Sequence, residues 1–185
     1  ARNLANSPFT SVANEDQSRK VADRIGVALD RLGSGLPLQV HPLENRPVVE
    51  RQVLVERHLV SHELATGDGP RLVGFDETES FSVMGNEEDH LRLQVMKSGN
   101  QLDQAWEQMC PLERALEEEL QFAFHSKYGY LTACPTNVGT GLRASVMLHL
   151  PALVITGQIE QVTSAATKIH LAVRGLFGEG TEAQG

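Results

Sequence analysis

The feature that most constrains the fold is a succession of short β-rich segments in the middle of the chain. Segments rich in branched and aromatic residues, at positions 72–75, 80–84 and 90–96, are separated by polar and glycine residues. Apolar and polar residues alternate in the last segment, the period of a half-buried strand. An earlier strand-and-turn stretch is predicted at positions 36–46. This close, uneven spacing favours antiparallel strands over regular βαβ units.

Helical periodicity surrounds this β-rich region. Apolar residues at helical spacing predict a helix that begins after Asn14 and is ended by Gly33-Ser34-Gly35. A second helix is predicted from position 48 to about position 58. The longest covers Gln101–Phe124, and Pro111 is expected to break or kink it. We therefore predict an α+β fold, with a mostly antiparallel sheet flanked by helices.

The last third of the chain predicts further elements. Strands are expected at Tyr128–Ala133, Leu142–Leu150 and Ile169–Val173, on the basis of their β-rich composition and alternation. Pro151 suits the first turn of a helix that runs to about Thr167. A loop rich in Gly, Pro and Thr covers positions 134–141.

Composition excludes several classes of protein. The chain has 185 residues and a formal net charge of −8, which argues against a broad basic face for nucleic acid. No stretch is long and apolar enough to span a bilayer, so no membrane partner is expected. The two cysteines cannot form a disulfide framework, which favours a reducing compartment such as the cytoplasm.

The segment Asn86-Glu87-Glu88-Asp89-His90-Leu91-Arg92 concentrates charge between two predicted strands. Adjacent carboxylates repel one another unless a cation lies among them. A solvated acidic turn is the simpler interpretation, since charge runs are usually surface. The functional interpretation is a cation site. Paired carboxylates bind a guanidinium through parallel hydrogen bonds, or accept a proton from a nitrogen nucleophile.

Two glycine-containing loops offer a complementary site for anions. The loop Cys134–Ser145 combines hydroxyl residues, glycines and Arg143 with Cys134, without the Gly-Lys-Ser/Thr of a P-loop. In the loop Arg174–Gly180, an arginine precedes flexible glycines. Taken alone, the first loop can also be a tight loop with a buried cysteine, and a hairpin or domain-end loop with an exposed arginine is the simpler interpretation of the second. Taken together with Arg92, they predict a local arginine cluster that binds phosphate, and hence phosphoryl transfer.

These motifs, in this order, resemble those of the guanidino (phosphagen) kinase family. The resemblance rests on Asn86–Arg92, on Cys134–Ser145 and on Arg174-Gly175-x-x-Gly178-Glu179, and it covers essentially the whole chain. Within the family, Met147–Val154 and Gly178–Ala183 look like the bacterial protein arginine kinase branch. The resemblance implies the α+β catalytic domain of the glutamine synthetase/guanidino kinase type, with ATP and Mg²⁺ as cofactors.

The resemblance also implies roles for individual residues. Glu88 and Glu179 look like the carboxylates that hold the acceptor guanidinium and take its proton, and Cys134 like the thiol beside it. His58 resembles the histidine against the adenine, and Glu87 a residue near Mg²⁺ through water. The other nucleotide-binding residues implied in this way are Arg92, Arg143, Ala144, Ser145, Val146, Met147, Arg174, Gly175, Leu176, Phe177, Gly178 and Glu179, the last of these in both roles.

The function implied by the resemblance is transfer of the γ-phosphoryl group of ATP to arginine side chains in proteins. Two alternatives stay open: a kinase of a free guanidino compound, and a non-catalytic nucleotide-binding module. The resemblance further implies arginine-bearing protein substrates, an activator protein, and links to proteolysis machinery and stress response. It leaves the oligomeric state open, a homodimer included. A Ser-x-Arg-x-Arg strand precedes the equivalent of Ala1 in the family, so we expect residues 1–185 to be one catalytic domain truncated at both ends.

Overall fold

The computed structural model describes residues 1–33 and 38–175, which fall into two compact units, Ala1–Ala144 and Ser145–Gly185. The helices of the first unit are α1 (Glu15–Leu32), α2 (Val48–Glu56), α3 (His62–Thr66) and α4 (Leu102–Glu119). Its strands are β1 (Gln39–Pro42), β2 (Leu72–Phe75), β3 (Phe81–Gly85), β4 (Leu91–Val95), β5 (Phe124–His125) and β6 (Gly129–Tyr130). The helices of the second unit are α5 (Pro151–Ile155) and α6 (Ile159–Lys168).

The centre of the first unit is a four-stranded sheet in the order β1-β2-β3-β4. All neighbouring strands are antiparallel, with Val73 opposite Met84 and Gly85 opposite Leu91. The prediction of an α+β fold with antiparallel strands is therefore confirmed, and β2, β3 and β4 lie where the sequence placed them.

Helices cover both faces of this sheet. Leu72 and Val83 belong to a buried cluster with residues of α1 and α4, whereas Val73 and Met84 belong to a second cluster with residues of α2 and α3. Neighbouring strand residues point to opposite faces, which explains why Leu72 and Val73 enter different clusters. Each fully buried aliphatic side chain contributes roughly 1.5–3 kcal/mol to stability, so both faces hold the sheet in place.

The ends of the two long helices have local causes. Asn14 and Gln17 form a reciprocal capping box at the start of α1, and Gly33 caps its end, as predicted. Ser34 and Gly35 lie outside the described residues. Pro111 lies inside α4, and the helix ends at Glu119 rather than Phe124. The chain turns extended at Leu120 because the residues that follow pair with the N-terminal segment.

That N-terminal segment closes one side of the first unit. Arg2 pairs with Leu91 of β4, and Leu4 pairs with Phe122. The backbone N–H of Arg2 donates to the Leu91 carbonyl at 2.8 Å, and the Leu91 N–H donates to the Arg2 carbonyl at 2.9 Å. The first residues of the chain therefore run beside the sheet and meet the loops that follow β3 and β6.

The described part of the second unit departs from the prediction. The single helix expected from Pro151 is divided into α5 and α6, and the left-handed backbone of Gly157, with a φ of 67°, lies between them. The strands expected at Leu142–Leu150 and Ile169–Val173 are wrong for the structure, which shows no strand there. Their apolar side chains are mostly exposed, and alternation yields a strand only when a partner pairs with it. Among the described residues, no helix is both long and apolar enough to cross a membrane.

Candidate active site

The acidic segment after β3 has one exposed carboxylate, Glu88, among the buried polar residues Asn86, Asp89 and His90. Asn86 is 5% exposed, and its amide donates to the carbonyls of Ser18 and Pro70, both at 2.8 Å. Its φ of 57° is left-handed, a conformation that asparagine tolerates better than most residues. Asp89 and His90 are also buried, whereas Glu88 is exposed. This arrangement differs from a fully solvated acidic turn, because only the predicted catalytic carboxylate is presented to solvent.

Asn3 and Asp89 join this segment to the chain before Cys134. The Asn3 amide donates to Asp89 Oδ1 at 2.5 Å and to the Leu131 carbonyl at 3.1 Å, and its oxygen accepts from the His90 N–H at 2.9 Å. Asp89 Oδ1 also accepts from the Ala133 N–H at 2.7 Å. Asp89 directly follows Glu88, and Ala133 directly precedes Cys134. The structure therefore makes neighbours of the segments that carry two of the predicted catalytic residues.

His90, the third buried polar residue of this segment, is a neutral imidazole. Its Nδ1 accepts from the Leu4 N–H at 2.9 Å, so the proton is on Nε2, which donates to the Pro8 carbonyl at 2.9 Å. Burial is the main reason that the pKa of His90 lies below its usual 6.5. Nearby Arg24 lowers the pKa further, against the opposing effects of the Pro8 carbonyl and Asp89.

Cys134 lies at the start of a short 3₁₀ turn, Pro135–Asn137, and is half-buried. The Thr132 hydroxyl donates to the Cys134 carbonyl at 2.8 Å. The Cys134 sulfur is 2.9 Å from the Thr136 hydroxyl. The hydroxyls of Thr132 and Thr136 therefore orient the backbone and the thiol of Cys134.

The far end of the same loop is held by Arg2, which sequence reasoning missed. Its guanidinium donates to the Thr140 carbonyl at 2.8 Å and to Glu113 at 2.9 Å, and lies over the Tyr130 ring at 3.5 Å from the centroid. Tyr130 and Gly139 exchange backbone hydrogen bonds of 2.9 and 3.1 Å. The loop that leads to Arg143 is therefore tied to α4, to β6 and to the N-terminal segment.

Strand β4 contains Arg92 and contacts the backbone of His58. Arg92 donates to Glu87 at 3.0 Å, and the Glu87 side chain is only 7% exposed. The Gln94 amide donates to the His58 carbonyl at 2.7 Å, and His58 has a left-handed φ of 58°. β4 thus contains one predicted phosphate-binding residue and, through Gln94, holds the backbone of the predicted adenine-contacting residue.

The other predicted nucleotide-binding residues are distributed over both units. Residues 143–147 are exposed and irregular, as is Arg174, while Gly175 is half-buried. Leu176, Phe177, Gly178 and Glu179 lie outside the described residues. In the described part of the chain, no group of three or more His, Cys, Asp or Glu residues is arranged to hold a metal ion.

Comparisons with known proteins identify the family to which this sequence is similar. Residues 20–185 match the family model described as "ATP:guanido phosphotransferase, C-terminal catalytic domain". The whole chain is 52% identical to a protein-arginine kinase of Moorella thermoacetica, and 98% of it is 48% identical to one of Halothermothrix orenii. It covers 54% and 52% of these proteins, so the chain spans about half the length of the curated relatives that it matches.

Solved structures give the same picture of the fold. A taurocyamine kinase from Schistosoma mansoni, solved with bound transition-state-analogue components, superposes with a TM-score of 0.86 at 28% identity, covering 98% of this chain and 26% of that one. A lombricine kinase superposes with a TM-score of 0.79 at 27% identity, covering 98% of this chain and 54% of that one. Both names refer to enzymes that act on guanidino compounds.

Proposed function

Because the chain belongs to the ATP:guanido phosphotransferase family through its C-terminal catalytic domain, we propose that its protein is a protein arginine kinase. The proposed reaction transfers the γ-phosphoryl group of ATP to the guanidinium of arginine residues in proteins. The observation that carries this proposal is the 52% identity over the whole chain with a relative of that name. The free-guanidino kinases among the structural relatives are only 27–28% identical.

On the acceptor side, the exposed position of Glu88 suits its proposed role. A guanidinium is protonated at neutral pH and is a poor nucleophile, so it must lose a proton as the new bond forms. In the proposed reaction an N–P bond forms, the bond from the γ-phosphorus to the bridging oxygen breaks, and ADP leaves. Glu88 orients the guanidinium and takes the released proton, while Cys134 lies beside it. We assign Glu179 the role of a second carboxylate.

On the nucleotide side, the pairing of Arg92 with Glu87 supports a fixed cation for a phosphate group. Arginine stays charged and binds phosphate oxygens through its planar fork. We propose that Arg92, Arg143 and Arg174 contact the phosphates, that His58 lies against the adenine, and that residues 144–147 and 175–179 contact the nucleotide. When bound, Mg²⁺ neutralises charge on the transferring group. Glu87 would accept a hydrogen bond from a water molecule bound to Mg²⁺.

The same proposal extends to the setting of the enzyme. We propose arginine-bearing proteins as substrates, an activator protein and the proteolysis machinery as partners, and a homodimer as one arrangement to be tested. The free thiols Cys110 and Cys134 support a reducing compartment, for which we propose the cytoplasm. One family match that runs from residue 20 to residue 185 supports the assignment of the chain to one catalytic domain.

The experiment that tests this proposal uses the full-length protein encoded by its gene. Purified protein is incubated with Mg²⁺-ATP and either an arginine-containing protein, free arginine, taurocyamine or lombricine. Phosphoarginine is then measured by mass spectrometry under conditions that preserve the N–P bond. We expect phosphorylation of the protein substrate to exceed that of each free compound. Efficient transfer to a free compound without transfer to protein would overturn the assignment.

A further inference from the structure

Asp89 is a buried carboxylate that the proposed reaction does not use directly. Only 2% of the surface of Asp89 is exposed. Burying an ionised carboxylate is unfavourable unless hydrogen bonds compensate, so its partners indicate what it stabilises. Those partners are the Asn3 amide at 2.5 Å and the Ala133 N–H at 2.7 Å, both on the same oxygen, Oδ1. One atom therefore holds two segments that are distant in sequence.

The segment that contains Asp89 presents Glu88, and the segment that contains Ala133 presents Cys134. Asp89 fixes its own backbone neighbour Glu88 on one side, and through the Ala133 N–H it fixes the residue before Cys134 on the other. The Thr132 hydroxyl then bonds to the Cys134 carbonyl at 2.8 Å, which limits rotation of the backbone that carries the thiol. The chain of contacts from Glu88 to Cys134 is therefore short and contains few freely rotating bonds.

We propose that Asp89 is a positioning residue that sets the separation of Glu88 from the Cys134 sulfur, and with it the fit of the acceptor guanidinium. This inference rests on the proposed function for the identity of the acceptor. A displacement of about 1 Å in such a site costs about a hundredfold in rate. Arg92 has its own partner in Glu87, so we expect ATP affinity to depend little on Asp89.

A purely structural role for Asp89 makes a different prediction. If the carboxylate only stabilised the fold, its removal would lower the fraction of folded enzyme, and the folded enzyme would keep its normal KM values and thiol reactivity. If Asp89 has a positioning role, its removal changes the reactivity of the Cys134 thiol and lowers kcat/KM for the acceptor. Both changes then occur in enzyme that is folded and binds ATP normally.

The test compares wild-type, Asp89→Ala and Asp89→Asn in the full-length protein. Mass spectrometry follows alkylation of Cys134 by iodoacetamide at constant pH, with Cys110 as the internal reference. Steady-state kinetics on a single-arginine peptide give kcat/KM, and calorimetry gives the ATP affinity. For Asp89→Ala we expect the Cys134 rate relative to Cys110 to change at least about threefold, and the peptide kcat/KM to fall about a hundredfold, with ATP affinity little changed.

Asp89→Asn is the matched control. Its amide oxygen can accept the same bonds from Asn3 and Ala133, so we expect the Cys134 alkylation rate to return to within about twofold of wild-type. If Asp89→Ala does not fold, as judged by circular dichroism, Ala133→Pro replaces it. That substitution removes the N–H donor and leaves Asp89 with Asn3, although it also fixes φ at position 133, and it is expected to change Cys134 reactivity as well.

The outcomes separate this inference from the proposed function. An unchanged Cys134 alkylation rate in folded Asp89→Ala or Ala133→Pro protein overturns the positioning role, whatever the activity. A wild-type protein that phosphorylates no arginine, but whose Cys134 reactivity responds to Asp89→Ala and recovers in Asp89→Asn, overturns the proposed function and supports the link between the two segments.

Discussion

Arg92 on β4 donates to the nearly buried carboxylate of Glu87 at 3.0 Å. The Arg92 side chain is 40% exposed and that of Glu87 only 7%, so the anion is the fixed partner and the arginine extends from it towards solvent. An arginine held in this way is pre-oriented before a phosphate arrives. Pre-oriented charge stabilises a transition state without reorganisation during the reaction.

Glu87→Gln should therefore lower kcat more than it changes ATP affinity. The amide keeps the shape of the side chain but loses the charge that orients Arg92, and we expect kcat to fall on the order of tenfold, with ATP affinity within about threefold. Steady-state kinetics and calorimetry on the full-length protein measure both quantities. Glu119→Gln, which breaks an exposed pair with Arg31 at 2.7 Å, is the control and should change neither. A larger loss of ATP affinity than of kcat would contradict this role.

Much of the fold could be predicted because its signals are local. The strands β2, β3 and β4 have period-2 or fully apolar patterns, and the first long helix has an Asn cap and a glycine stop. The segments Leu142–Leu150 and Ile169–Val173 have similar composition but form no strand. Pairing partners decide whether such a segment becomes a strand, and no local pattern contains that information.

The candidate site divides in the same way. Glu88 and Cys134 lie in motifs whose chemistry can be read along the chain. The bond between Asn3 and Asp89 joins residues 86 positions apart, and the contact of Arg2 with Thr140 joins residues 138 apart. Nothing in the spacing of these residues reveals such contacts. The role of the N-terminal segment emerges only from the pairing of Arg2 with Leu91.

Glu88→Gln should abolish phosphoryl transfer while leaving ATP binding intact. Glutamine keeps the size of the side chain but cannot accept the proton that the guanidinium must lose. General-base catalysis contributes about 10²–10⁴-fold, so we expect kcat to fall by at least about a hundredfold. On the full-length protein, phosphopeptide formation measures phosphoryl transfer, and calorimetry measures ATP affinity. Glu77→Gln, in the exposed turn between β2 and β3, should retain wild-type turnover. Turnover by Glu88→Gln at the wild-type rate would remove Glu88 from the catalytic role.

His90 should make the stability of the protein depend on pH. Burial lowers its native pKa below 6.5, so the unfolded chain gains a proton first as the pH falls. The stabilisation is complete above about pH 6.5 and is lost progressively as the pH drops towards the lower native pKa. Urea unfolding at pH 7 and at pH 5 should therefore show a smaller free energy of unfolding at pH 5.

His90→Asn removes the titrating group and keeps an oxygen that can accept from the Leu4 N–H. We expect this variant to be less stable at pH 7, because the bond to Pro8 is lost, but to lose less stability between pH 7 and pH 5 than wild-type does. His125→Asn changes an exposed histidine and should keep the wild-type pH profile. An equal pH dependence in His90→Asn and wild-type would exclude His90 as the source.

Gly129→Ala should cost more stability than Gly69→Ala, although both glycines have left-handed backbones. Their φ values are 80° and 85°, so the conformational penalty of a side chain is similar, about 1–2 kcal/mol. A Cβ on Gly129 would lie 2.6 Å from the Gly139 carbonyl oxygen, whereas one on Gly69 would meet nothing within 4 Å. Relief of that clash must separate two backbones, at a further cost of about 1–3 kcal/mol.

The separation would occur where Tyr130 and Gly139 hold the loop that begins at Cys134. We therefore expect Gly129→Ala, but not Gly69→Ala, to lower phosphoryl transfer to a peptide as well as the free energy of unfolding. Urea unfolding and peptide kinetics on both variants make the comparison. Equal losses of stability in the two variants would mean that the penalty of a left-handed backbone alone explains both losses. Reduced stability with unchanged turnover would mean that the Tyr130–Gly139 contact stabilises the fold without positioning the loop that contains Cys134.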